Sequence, residues 1–312
     1  MPFPSPVSRT PGRPALVTAL LVMLAGALLA ATPAPSPTTP FTDGDVVTKK
    51  SIGTPLATGA AGLDGQAGGL RLRVAAYNIA HARGNKSGFL HELGRMKNLR
   101  GIADLLIDQK VDIACFEEIS SRDLRAGFRD QPEYLAKKLG FAHRVYGENV
   151  SELKGILATQ GNAVISRFPI LSHRNHFLYR KDKKQEQRGC LEVLIDLGGG
   201  RKVRLFVTHL SLNSEESTRQ IQDIWALIEK SEEPVIFVGD FNSRPGSDRI
   251  KWLKQRMTDT TSNLTTTYLN KPDVKIDYHF TKGAVTGGTA WIRGFDEGYS
   301  DHGCLLNDYL VR

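Results

Sequence analysis

Eight residues at six places in this 312-residue chain carry groups able to handle a phosphoryl centre: Asn78, Glu118, His209, Asp240 with Asn242, Asp277, and Asp301 with His302. Each follows or opens a short apolar run, and a polar residue directly after a buried strand tends to lie on a loop at a sheet rim. Carboxylates and an amide oxygen are the hard ligands that Mg²⁺ prefers, with Mn²⁺ or Ca²⁺ as alternatives, and such a site uses few carboxylates plus water and substrate phosphate. The two imidazoles are then left for proton transfer or for countering charge on a phosphoryl group. Taken singly, each residue has an ordinary explanation. Asn78 can cap a loop, Glu118 can be a solvated acid, His209 can be a satisfied structural histidine, and Asp277 can pair with a surface lysine.

The elements that must bring them together follow from hydrophobic period. The run 70–80 (LRLRVAAYNIA) is expected to be a strand, and 89–109 a helix with Leu90, Leu93, Met96, Leu99, Ile102 and Leu106 on one face. A strand at 111–119 ends in the paired acids Glu117 and Glu118, and a second helix is expected over 120–138. Short strands follow at 142–147, 161–170, 172–180, 188–197 and 201–212, separated by turn residues. Asn213 and Ser214 look like caps for a helix over 215–230, which leads into the strand 234–242. A short helix at 248–256 and strands in 274–280, 288–294 and 301–310 complete the chain. Runs of strands broken by a few helices favour a layered α/β sandwich over an alternating parallel sheet.

The ordered series YNI (77–79), FEEI (116–119), GNAVISRFPI (161–170), THL (208–210), GDFNSRP (239–245), IDY (276–278) and SDH (300–302) resembles the endonuclease/exonuclease/phosphatase superfamily of deoxyribonuclease I-like metal-dependent phosphoesterases. GDFN followed by SDH is the most specific part, and the resemblance covers residues 70–312. It implies a four-layer sandwich of two mixed β-sheets flanked by helices, with the site at the sheet ends. It further implies that Glu118 is the principal metal carboxylate, with Asn78 beside it and Asp301 near the ion. Glu117 stands where the family often has Gln, and strand alternation is a second reason for only one of the two acids to face the cation. The resemblance assigns Asp240 to orienting or deprotonating the attacking water and Asn242 to phosphate or that water. It pairs Asp277 with His302, favouring a charged ring, and makes His209 the second imidazole. The reaction implied is in-line attack of water on a phosphoester, and the base is either Asp240 or a hydroxide on the cation. Arg188 is a candidate phosphate contact or a rim salt bridge to Glu186, and Asn162 either approaches substrate or braces a turn with Gly161.

Composition sets outer bounds. The net charge of +8 suits an anionic partner, although the aromatic interleaving expected of a single-strand nucleic-acid binder is not evident. The basic run 180–188 is a solvated loop or a contact for anionic substrate. Arg9 and Arg13 precede the apolar stretch 15–31, so residues 1–31 are expected to be an export signal or an uncleaved membrane anchor. Residues 32–69, rich in Pro, Thr, Gly and Ala, are expected to be a flexible tether. Cys115, Cys190 and Cys304 sit in apolar runs and suggest buried thiols, not a disulfide framework or a zinc site. The expected protein is an exported, monomeric phosphoesterase; a secreted nuclease on DNA or RNA is the alternative, and an inactive binding module of the same fold is the third. Membrane contact is expected only through the anchor or a lipid substrate.

Overall fold

A computed structural model describes residues 64–65, 69–85, 94–271 and 273–312. The expected export segment and nearly all of the expected tether lie outside these residues, as do Leu90 and Leu93. Strand β1 (Asp64–Gly65) pairs antiparallel with the start of β2 (Gly69–Asn78), so ordered pairing begins a few residues before the expected boundary at Leu70. Helix α1 (Arg95–Asp108) precedes β3 (Ile113–Ile119), and α2 (Gln131–Leu139) precedes the hairpin β4 (His143–Glu152) and β5 (Ala158–Ser166). Then come β6 (Ile170–Phe177), β7 (Gly189–Gly198), β8 (Arg201–His209), α3 (Ser214–Ile228), β9 (Val235–Asp240) and α4 (Asp248–Lys254). The chain closes with β10 (Thr258–Asp259), β11 (Asp277–Lys282), β12 (Val285–Gly287), β13 (Trp291–Arg293) and β14 (Cys304–Val311).

These strands form two mixed sheets. One runs β12-β14-β2-β3-β5-β4, with β1 on β2 and β13 on β14; the other runs β10-β11-β9-β8-β7-β6. Alternation along each strand dictates the layers, because successive side chains point to opposite faces. Leu72, Val74 and Val164 of the first sheet meet Val193, Leu205 and Val238 of the second in a dry central layer. The other faces carry Ala75, Tyr77 and Phe116 against Leu99, Ile102 and Leu135 of α1 and α2, and Phe206, Phe237 and Phe280 against Ile221, Ile224 and Ile250 of α3 and α4. The expected four-layer α/β sandwich is therefore the observed one. Cys115, Cys190 and Cys304 are buried free thiols within it.

Two local expectations change. The helix expected over 120–138 begins only at Gln131. Asp130 caps it by accepting from the Glu133 amide at 2.9 Å, and Pro132 occupies its first turn. Residues 120–130 instead form a loop whose buried Asp123 carboxylate accepts from the amides of Ala126 and Thr159. The run 161–170 also divides: β5 ends at Ser166 in the first sheet, and Ile170 starts β6 in the second, so the intervening Phe168-Pro169 turn carries the chain between sheets.

Candidate active site

Register brings the polar strand ends together. In the second sheet His209 lies directly beside Asp240, and Asp277 lies on the other side of it. Adjacent strands are roughly 4.8 Å apart, so three ionisable groups are forced into one row. Gly239 permits this. A Cβ there would lie 2.0 Å from the Thr208 carbonyl oxygen, and its φ of 137° suits glycine alone. In the first sheet Asn78 ends β2 next to Glu117 of β3, and the rims of the two sheets face each other.

The result is one connected network. Asn78 Nδ2 donates to Glu118 Oε1 and to Asp240 Oδ2, each at 3.2 Å, linking the two sheets. Its Oδ1 accepts from the Ala80 amide at 3.1 Å, so the amide acts as a bracket between carboxylates. His209 Nε2 is 3.4 Å from Asp240 Oδ2, and its Nδ1 is 3.8 Å from Glu118 Oε1. His302 Nδ1 meets Asp277 at 3.0 Å while its Nε2 stands 3.7 Å from Asp240 Oδ2. Asn242 donates its backbone amide to Asp240 Oδ1 at 2.8 Å and its side-chain amide to the Leu210 carbonyl at 2.9 Å. Phe241, between them, is fully buried. Asp301 meets Arg83 at 3.4 Å, and Ser300 Oγ donates to the Asn78 carbonyl at 2.6 Å, tying the SDH loop to β2.

Strand alternation does not separate Glu117 from Glu118. The β3–β5 register slips between Phe116 and Ile119, and Glu118 takes a left-handed φ of 47°. The bulge turns Glu118 into the cleft, whereas Glu117 remains buried with its Oε1 lacking a hydrogen-bond partner.

Burial and charge set the protonation states. Burial, then the Asp277 charge, raises Asp240 to about 7. Burial together with Asp277 and Asp240 pushes Glu117 well above the carboxylate range, so it holds its proton. Burial opposes charge on His302, but Asp277 and Asp240 overcome it and hold the ring well above its usual value. His209 moves the other way, through burial and the cations Arg188 and His302. Arg188 Nη1, which can only donate, lies 2.8 Å from His209 Nδ1. His209 is therefore the neutral tautomer with its proton on Nε2. Arg188 also pairs with Glu186 at 2.9 Å, so it combines the rim salt bridge with a contact to an imidazole. Asn162 donates to the carbonyls of Gly189 and Val207 at 3.0 and 3.2 Å and braces one sheet against the other.

The donor set suits a hard divalent cation. Glu118 and Asp301 present partly accessible oxygens, and the neighbouring Glu117 leaves a buried oxygen unpartnered. Asp240, Asp277 and His302 also place ligand atoms within 4.8 Å of one another. A protonated ring already bonded to Asp277 is a poor ligand, however, so the oxygens around Glu118 are the better cation seat. His81 carries no signal in the sequence. It sits in a left-handed turn, Ala80–Ala82, with its ring 2.9 Å from Ser120 Oγ and 3.6 Å from Glu118 Oε2. Tyr268, whose ring meets His302 edge-on, was equally unmarked.

Comparison with known proteins agrees with this fold. Residues 75–302 match the Endonuclease/Exonuclease/phosphatase family. An endonuclease/exonuclease/phosphatase structure from Beutenbergia cavernae superposes with a TM-score of 0.63 at 20% identity, covering 77% of this chain and 72% of that one. The mannosyl-6-phosphatase structure from Bacteroides thetaiotaomicron gives 0.60 at 17% identity over 77% of this chain and all of the other. Protein cwh43 of Schizosaccharomyces pombe is 26% identical over 149 residues, which is 47% of this chain but only 14% of that protein.

Proposed function

Because this chain belongs to the endonuclease/exonuclease/phosphatase family, we propose that it is an exported, divalent-cation-dependent phosphoesterase acting on a phosphoester of a small polar group. The observation carrying this reading is the Asp240 row: a buried carboxylate titrating near neutrality, flanked by a neutral and a charged imidazole. A group with a pKa of about 7 is suited to take a proton at physiological pH. Asp240 Oδ2 orients the attacking water and accepts its proton, while the Asn242 amide holds Oδ1 in place. His302 Nε2 and His209 Nε2 each donate to oxygens of the phosphoryl group as charge builds during in-line attack. Arg188 keeps the His209 proton on the side that faces the substrate. A cation held by Glu118 and Asp301, when bound, supplies further charge compensation at the phosphoryl oxygens.

The leaving-group side favours a small substrate. The narrow cleft beside Glu118 and His209 is lined by Asn149, Gln160, Asn162, Glu186, Gln187 and Arg188. Glu186 offsets the one arginine, which disfavours a polyanionic backbone. Mannosyl-6-phosphatase, the named activity of one structural neighbour, is of this substrate class. Export rests on the two arginines ahead of the apolar stretch 15–31.

The test is a substrate panel of sugar phosphates, phosphoinositides, bis(p-nitrophenyl) phosphate, DNA and RNA, assayed with Mg²⁺, Mn²⁺, Ca²⁺ or chelator. Turnover of small phosphoesters that chelator abolishes and Glu118→Gln removes is expected. Nicking of DNA without turnover of small substrates would replace this reading with the nuclease, and activity unaffected by chelator would remove the cation.

A further inference from the structure

Asp277 and His302 come from different sheets. Asp277 opens β11 of the second sheet, whereas His302 stands in the loop before β14 of the first. His302 Nδ1 lies 3.1 and 3.0 Å from the two Asp277 oxygens, a centred geometry that a small shift of either rim would spoil. A bond across that divide is only as well aligned as whatever ties the two rims together. The strand ladder on the outer side of β11 does not reach this end, because β10 pairs only with Phe280 and Thr281. The backbone amides at the Asp277 end therefore need another acceptor.

Thr267 supplies it. Its hydroxyl oxygen accepts from the amides of Ile276 at 3.0 Å and Asp277 at 3.1 Å, which uses both lone pairs. Its own amide donates to the Val274 carbonyl at 2.9 Å, and its carbonyl accepts from the amide of Gly303, directly after His302, at 2.9 Å. Leu269 donates to the Asp301 carbonyl at 2.8 Å, so these last two bonds flank an antiparallel bridge between Tyr268 and His302. Residues 267–269 are thus a short strap, with Asp277 fastened to one side and both neighbours of His302 fastened to the other. The Tyr268 ring, its centroid 5.1 Å from that of the imidazole, packs against His302 from the same strap.

Packing alone does not account for this placement. Thr267 is fully buried, so loss of its hydroxyl would leave two amides without an acceptor, and its bonds go to the two segments that carry the acid and the imidazole. We infer that Thr267 is a positioning residue for the Asp277–His302 pair, holding the ring where its Nε2 reaches a phosphoryl oxygen. The kinetic consequence rests on the role proposed above for His302, whereas the alignment itself is observable without turnover.

The test pairs NMR with kinetics on the full chain. In protein carrying isotope-labelled histidine, the His302 Nδ1 proton shared with Asp277 gives a downfield resonance, assigned by its loss in Asp277→Asn. Thr267→Val keeps the shape and removes the acceptor. It is expected to shift or broaden that resonance and to lower kcat for bis(p-nitrophenyl) phosphate by about 10- to 100-fold, with KM within a few-fold. Thr267→Ser retains the acceptor and is expected to restore both; if Thr267→Val does not fold, the serine variant decides. Lys275→Met loosens the same end of β11 through different bonds and should leave the resonance in place, which separates positioning from a weakened fold. An unchanged resonance in folded Thr267→Val, its loss in Thr267→Ser, or the same change in Lys275→Met would overturn the inference. Wild-type protein that shows the resonance but turns over no phosphoester would count against the phosphoesterase reading and not against the strap.

Discussion

Two clusters of buried charge lie a few residues apart in the second sheet, and they are built to opposite rules. Around Asp259, at β10, every group is matched. Its Oδ2 meets Lys254 at 2.9 Å and Lys275 at 3.4 Å, and its Oδ1 accepts from the amide and hydroxyl of Thr261. Lys275, almost fully buried, also donates to the Thr261 carbonyl at 2.7 Å and sits 4.5 Å above the Tyr278 ring. Burial alone would raise Asp259, yet these partners hold it below its ordinary value. Around Asp240 the acids outnumber the cations. Asp240 and Glu117 are both raised, and Glu117 keeps an oxygen without a partner. Two carboxylates whose side chains are both nearly hidden from solvent thus sit in a closed ion-paired cluster in one place and an electrostatically incomplete site in the other. Incompleteness is costly to a fold, and it marks the cluster suited to receive a cation.

The largest expected break in this contrast is Asp240→Asn. Hydrolysis should fall by about 10²–10⁴-fold while the melting temperature holds or rises, because one crowded carboxylate has gone. Kinetics and thermal melts on the same sample check this, and a matching fall in melting temperature would mean that Asp240 is structural like Asp259. Lys275→Met should do the reverse. Removing one partner of a buried pair costs about 3–5 kcal/mol, readable in a urea titration, with kcat per folded molecule changed only a few-fold.

A smaller effect sharpens the incomplete side. A divalent cation at about a hundred times its dissociation constant should add about 2.7 kcal/mol of stability to the wild type and none to Glu118→Gln; equal stabilisation of both would move the cation elsewhere. The smallest is Glu117→Gln, which keeps the shape. The folded wild type retains the Glu117 proton above the pH at which the unfolded chain releases it, so its stability declines as pH rises from about 4.5. The Gln variant lacks that decline. In chelator it should match the wild type near pH 4 and melt a few degrees higher at pH 8, with activity within a few-fold; a constant gap across pH would show that Glu117 ionises normally.

Much of this molecule was legible from pattern. Short apolar runs announced β2, β5, β7, β8 and β9, most of whose residues are buried. The cap at Asn213 marked the start of α3, where its side chain accepts from the amides of Glu215 and Glu216. The helix expected over 120–138 fails at 120–130 because that loop's organising bonds run from Asp123 to Thr159, 36 residues away, where no local period records them. His81 was invisible for a related reason: the sequence Ala-His-Ala carries no signature of a left-handed turn.

The residue types of the site were likewise settled in one dimension, since an acid, amide or imidazole at the end of an apolar run has few places to go except a sheet rim. Their states were decided only in three. Whether Asp240 titrates near neutrality, which nitrogen of His209 bears the proton, and which of two adjacent glutamates faces the cleft depend on register, on a one-residue bulge and on an arginine twenty-one residues away. Charge interacts through space and through the surrounding dielectric, and neither is a property of neighbours along the chain.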